Sequence, residues 1–192
     1  MALSNTEKKE LVFIPLKLLV ICAAIALLVS FVNSITADKI SANEAAKTND
    51  ALANAFPDAA NFEAFDGEIE VANVVSAHEA FDSDGDSIGY AVICEPMGFK
   101  DVINMMVSFN TDKTIASVDI ISLSETTGIG DKVKSSETFT AQFSGKSGEL
   151  TVGKNVDAIS GATISSKAVT AGVNSAVVCV NELYGNGGAA NE

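Results

Sequence analysis

The chain has 192 residues, room for one domain plus an anchor, and 47% of them are hydrophobic although 19% are charged. A formal net charge of −13 argues against nucleic acid, whose phosphates need Lys and Arg, and against binding of the polar part to an anionic membrane surface. Three cysteines without Cys-x-x-Cys spacing argue against a protein-held zinc or iron–sulfur site, and His78, the single histidine, has no hydrolase context around it.

Residues 1–10 form a short N-terminus containing Lys8 and Lys9. Residues 11–35, LVFIPLKLLVICAAIALLVSFVNSI, carry Lys17 as their only charge. As a helix they reach about 37 Å, enough to cross a hydrocarbon core of about 30 Å. Lys17 lies near the N-terminal end, where its amine reaches the interface, and Pro15 is expected in the first turn. A cleaved signal peptide is the competing reading, but Ile35 fits poorly two residues before a cut at Ala37. A permanent single span is therefore expected. Lys8, Lys9 and Lys17 place the N-terminus in the cytoplasm and the rest of the chain outside.

Residues 36–60 read as a juxtamembrane helix or linker, with the polar stretch 38–56 helical until Pro57 stops it. Residues 61–184 read as the folded domain and 185–192 as a flexible tail. Strands are predicted at Ile69–Val75, Ser87–Cys94, Val102–Phe109 and Thr114–Ser122. The acidic run Asp82–Asp86 is a hairpin turn rather than a calcium loop, because no correctly spaced Glu follows Gly85. Asn110–Lys113 is a second turn. Short turns between consecutive strands give an antiparallel meander. A short helix is predicted over Ser135–Phe143. A longer one, Thr163–Leu183, has Ala168, Gly172, Ala176, Val180 and Leu183 as core contacts. The class is α+β: an antiparallel sheet with packed helices, preceded by one transmembrane helix. Cys94 and Cys179 are read as buried thiols, with pairing open to them outside the cytoplasm.

The chemistry concentrates at Asp157-Ala-Ile-Ser160-Gly161-Ala162-Thr163-Ile-Ser165-Ser166. Taken alone, these residues fit ordinary capping, with Ser160 or Thr163 accepting a backbone N–H at a helix start and Gly161 supplying backbone freedom. The same start also suits a phosphate, since its unpaired N–H groups carry the positive end of the helix dipole. Gly161 and Ala162 admit a ligand close to the backbone, and Ser165 and Ser166 offer hydroxyls.

This run resembles the flavinylation sequence of the FMN-binding domain family, matching it at Asp157, Ser160, Gly161, Ala162 and Thr163. Glu125-Thr-Thr-Gly128-Ile-Gly130 resembles the family's Glu-Thr-Pro-Gly-Leu-Gly, with Thr127 and Ile129 as departures. Gly98-Phe-Lys-Asp101 resembles the segment that opens the family's core hairpin, with Asp101 where Gly is common. The resemblance implies FMN esterified through its phosphate to Thr163 by a separate flavin transferase, in the sequence context of Asp157, Ser160, Gly161 and Ala162. It also implies flavin contacts at Glu125, Thr126 and Gly128. No catalytic side chain and no metal site are expected; the hard chemistry is the cofactor's.

With its N-terminal span, the chain resembles in particular the G subunits of Rnf-type ferredoxin:NAD⁺ oxidoreductases, which couple electron transfer to sodium or proton translocation. The related C subunits of sodium-pumping NADH:quinone reductases share the motif. This implies an electron relay in the cell membrane, with polytopic and iron–sulfur subunits as partners. NADH and ferredoxin are expected to bind those partners, since no dinucleotide glycine fingerprint is present. The alternative is a stand-alone anchored extracytoplasmic flavoprotein or sensor outside any ion pump.

Overall fold

The computed structural model describes residues 5–184. The expected flexible tail, 185–192, lies outside the described residues. Two compact units follow one another along the chain, 1–46 and the remainder from Lys47.

Helix α1 runs Asn5–Ala55. Within it, large apolar side chains such as Leu18, Leu27 and Phe31 are exposed, as lipid rather than protein contact requires. Pro15 lies well inside this helix and not in its first turn, because the helix begins at Asn5. A membrane helix tolerates such a proline when the freed carbonyl is satisfied locally. Past the apolar stretch, Thr36 folds its hydroxyl back onto the Val32 carbonyl at 2.9 Å.

The second unit is built on five strands: β1 (Asn61–Ala64), β2 (Val74–Phe81), β3 (Ser87–Cys94), β4 (Ile103–Phe109) and β5 (Ile115–Leu123). They pair antiparallel in chain order, so the sheet is a meander. Side chains alternate between its faces. Val92, Cys94, Met105 and Val107 point to one face, which carries the larger core. Ala91, Ile93 and Met106 point to the other, where Leu52 and Phe56 cover them. The inner strand β4 is thus buried on both sides and reads as a nearly unbroken apolar run.

The larger core is closed by α4 (Thr163–Tyr184), which buries Val169, Val173, Ala176 and Val180. α4 is long and apolar enough to cross a membrane, but it lies against the sheet. Ala168, Gly172, Ala176 and Val180 are buried as expected, and Leu183 is packed at the core's edge. Gly172 marks a close approach: a Cβ there would stand 2.9 Å from both Met105 Sδ and Pro96 Cγ.

Three further expectations change. The strand predicted at Ile69–Val75 is mostly loop, and β2 begins at Val74. Ile69 and Val71 still pack on the core, which produced the strand-like alternation, but Asn73 takes a left-handed φ of 64°. It is held there by its amide on Ser175 Oγ at 3.2 Å and by Glu95 N–H on its carbonyl at 2.8 Å. β1, absent from the prediction, pairs along β2. The helix predicted over Ser135–Phe143 is broken into α2 (Lys132–Ser135), α3 (Glu137–Thr140) and a 3₁₀ turn (Ala141–Phe143), because Ser136 is extended. Val133, Phe139 and Phe143 still reach the core, the two rings edge-to-face at 5.5 Å.

Candidate functional site

The site gathers where three chain segments meet: the connection from β3 to β4, the loop after β5, and the start of α4. A cleft of about 410 Å³ opens there, within the range of small-molecule sites. Phe99, Ile129 and Ile164 give it apolar walls, while Glu125, Thr126, Thr163 and Ser165 bring polar atoms. The three apolar residues are 65%, 48% and 54% exposed, so the cleft has an apolar rim that water covers in the isolated chain.

The α4 start explains the small residues before it. Ala162 N–H donates to the Ile159 carbonyl at 2.9 Å, closing a four-residue turn. Gly161 has φ 81° at its third position, the left-handed value that a type II turn demands. Ser160 occupies the second position and is exposed. The first intrahelical bond runs from Ser166 N–H to the Ala162 carbonyl at 2.9 Å, so alanine stands at the N-cap. Ordinary capping by Ser160 or Thr163 is therefore not what the structure holds. Among the described residues no side chain accepts an N–H from this first turn, and the turn contains no acidic residue. Thr163 is exposed on the cleft wall, with these N–H groups around it.

Glu125 is the most constrained polar residue here, 7% exposed. Its Oε1 accepts the N–H groups of Phe99 at 2.8 Å and Lys100 at 3.1 Å. Its Oε2 accepts the Ser165 hydroxyl at 2.8 Å. Burial pushes its pKa up, but the donors Lys100 N–H, Ser165 hydroxyl, Phe99 N–H and Asp101 N–H together hold it below the ordinary glutamate value. Two glycines make room for the carboxylate. A Cβ on Gly98 would run into Oε1, and one on Gly130 would stand 2.6 Å from Oε2.

Of the residues singled out in the sequence, Glu125, Thr126, Gly161, Ala162, Thr163 and Ser165 line the cleft together. Gly128 lies in the same loop at φ 79° but outside the wall. Ser166 is buried and accepts the Ile159 N–H at 3.1 Å, so it braces the turn from behind. Asp157 is exposed and does not line the cleft; its backbone exchanges hydrogen bonds with the Gln142 amide at 2.8 and 3.3 Å. Sequence reasoning missed the apolar walls. Phe99, Ile129 and Ile164 each stand beside a glycine loop or the motif threonine, the one signal that marked them.

A flavin phosphate ester fits this arrangement on the structure's own terms. The helix start offers free N–H donors, the residues before it are too small to obstruct a phosphate, and the adjoining apolar walls suit a flat aromatic ring.

The profile of the FMN-binding domain family matches residues 98–178. The chain is 31% identical over 193 aligned residues to the G subunit of the ion-translocating oxidoreductase complex of Methanosarcina acetivorans, covering 94% of this chain and 100% of that protein. It is 32% identical over 187 residues to the G subunit of the Na⁺-translocating ferredoxin:NAD⁺ oxidoreductase complex of Acetobacterium woodii, covering 86% and 89%. It is 38% identical over 106 residues to the G subunit of the proton-translocating ferredoxin:NAD⁺ oxidoreductase complex of Clostridium ljungdahlii, covering 52% and 57%.

Proposed function

This chain belongs to the family of G subunits of ion-translocating oxidoreductase complexes, and we propose that it serves such a complex as a membrane-anchored electron-transfer flavoprotein whose FMN is esterified to Thr163. The observation that carries the attachment site is the α4 start: an exposed threonine, an uncapped first turn and alanine at the N-cap. A serine or aspartate at the cap would occupy the N–H groups that a phosphate needs. When bound, FMN supplies transfer of one or two electrons.

The residues of this chain bind and orient. The first-turn N–H groups and the helix dipole offset the charge left on the phosphodiester. Phe99, Ile129 and Ile164 would shield a bound flavin from water, and Thr126 would offer a hydroxyl at the cleft wall. Attachment is a phosphoryl transfer from FAD. The Thr163 Oγ1–P bond forms as the pyrophosphate bond breaks, AMP leaves, and a separate flavin transferase takes the hydroxyl proton. Asp157 and Ser160, exposed ahead of the helix, are in place for that enzyme to read.

The apolar stretch of α1 supports a membrane anchor, and Lys8, Lys9 and Lys17 support an N-terminus inside and the flavin domain outside. Iron–sulfur and polytopic subunits of the complex are the electron partners in this reading. Similarity along almost the whole length of two such G subunits favours it over a stand-alone flavoprotein or sensor. The relatives are named for complexes that translocate different ions, Na⁺ and protons.

The test is mass spectrometry of the denatured chain after co-expression with a flavin transferase. One FMN phosphodiester is expected on the Thr163 peptide and none in Thr163→Ala. An unmodified Thr163 peptide, or flavin retained by the variant, overturns the assignment.

A further inference from the structure

The Glu125 carboxylate touches all three segments that build the cleft. It springs from the loop after β5, receives two N–H groups from the β3–β4 connection, and receives a hydroxyl from the first turn of α4. No other described side chain joins all three. Its place is reserved sterically, because Gly98 and Gly130 are the positions where any Cβ would collide with it. Both oxygens are already engaged, so a flavin contact is not the main use of this group.

We propose that Glu125 is a positioning residue: it clasps the Phe99 loop to the start of α4, fixes the Phe99 backbone at the cleft wall, and lends that wall a negative charge that opposes reduction of the bound flavin. The positioning follows from the donors. Phe99 and Lys100 are consecutive, and their N–H groups on one oxygen leave the intervening backbone no freedom to swing. With its backbone so fixed, the exposed Phe99 side chain is anchored at its base on the rim. The electrostatic part follows from burial, since a charge at a water-poor wall acts on its neighbours more strongly than one in solvent. Adding electrons to a cofactor beside a fixed anion is disfavoured, so the wall holds the flavin's potential down. Ser165 links the two functions. It is the α4 end of the clasp and is itself buried in the wall, two residues from the attachment hydroxyl.

This inference rests on the flavin reading, and its test separates the two. The full chain in detergent is prepared with and without the transferase, as wild type, Glu125→Ala, Glu125→Gln and Ser165→Ala. Amide hydrogen exchange is measured first on the flavin-free protein, where no cofactor contributes. The Phe99 and Lys100 amides are expected to exchange at least tenfold faster in Glu125→Ala, which removes their acceptor, and faster to a lesser degree in Ser165→Ala, while β4 amides stay unchanged. Unchanged Phe99 and Lys100 exchange overturns the clasp. Redox titration follows on samples whose Thr163 peptide carries FMN. The potential is expected to rise in Glu125→Gln, which removes the charge at nearly constant shape, and to rise less in Ser165→Ala, which keeps it. Equal potentials in wild type and Glu125→Gln overturn the electrostatic role. Absence of FMN from wild-type Thr163 overturns the flavin reading alone and leaves the exchange result standing.

Discussion

Replacing Ala162 by serine tests the reading of the α4 start directly. Alanine at an N-cap leaves first-turn N–H groups without a side-chain acceptor, and supplying one stabilises a helix by about 1 kcal/mol. Ala162 is 3% exposed and lines the cleft, and serine adds a single oxygen there. For a domain of this size that gain corresponds to a rise of about 3 °C in melting temperature. The same hydroxyl would compete with the flavin phosphate for its donors, so attachment at Thr163 should fall as stability rises. Thermal unfolding of flavin-free full-length chain in detergent, paired with the fraction of Thr163 peptide carrying FMN, measures both. A melting temperature at or below wild type, with attachment intact, would refute the idea that these N–H groups stand open.

Gly172→Ala sets about 1 kcal/mol of gained helix propensity against overpacking of about 1–3 kcal/mol on Pro96 and Met105, so a lowered urea midpoint is expected; a midpoint above wild type counts against the close contact. Glu125 has a folded pKa below its unfolded value, so the stability it contributes is present above about pH 4.3 and is lost as pH falls through the folded value. Urea midpoints between pH 7 and pH 3 should therefore fall less in Glu125→Gln than in wild type, and parallel curves would sink this. Burial, helped by the neighbouring Cys179, pushes the Cys94 thiol up to about 12, and burial with Glu182 nearby pushes Cys179 to about 11. Both should resist iodoacetamide at pH 8 in the native chain and react on unfolding, as peptide mapping will read; rapid native labelling would contradict the packing.

The sheet was largely legible because its strands are short apolar runs rich in Val and Ile, punctuated by turn residues. β3 emerged with both ends correct, and β4 and β5 within a residue. α4 was legible because its small and apolar residues recur at helical spacing. The misses share a cause. Ile69 and Val71 bury themselves without a pairing partner, so alternation misled there, while β1 is four residues long and pairs without burying an alternating face. Ser136 interrupts a helical pattern through one extended residue that no propensity marks. At the site, the residues alone read as an ordinary capped helix start, and the motif stood out through its resemblance to the flavinylation sequence. The clasp was not, since nothing in a Glu-Thr-Thr-Gly run says that its carboxylate reaches back to Phe99 and forward to Ser165.

Leu52 and Phe56 limit how this protein can be dissected. They are 3% and 9% exposed, and they are the cover for the sheet face that holds Ala80, Ala91, Ile93 and Met106. A protease that cuts between residues 36 and 46 releases a domain with both faces of its sheet still dry. One that cuts after Phe56 strips off a Leu and a Phe whose individual truncation costs about 2–5 and 3–5 kcal/mol, against a total stability of about 5–15 kcal/mol. A soluble version of this flavin domain therefore has to begin no later than Lys47, carrying with it the last turns of the helix that starts at Asn5.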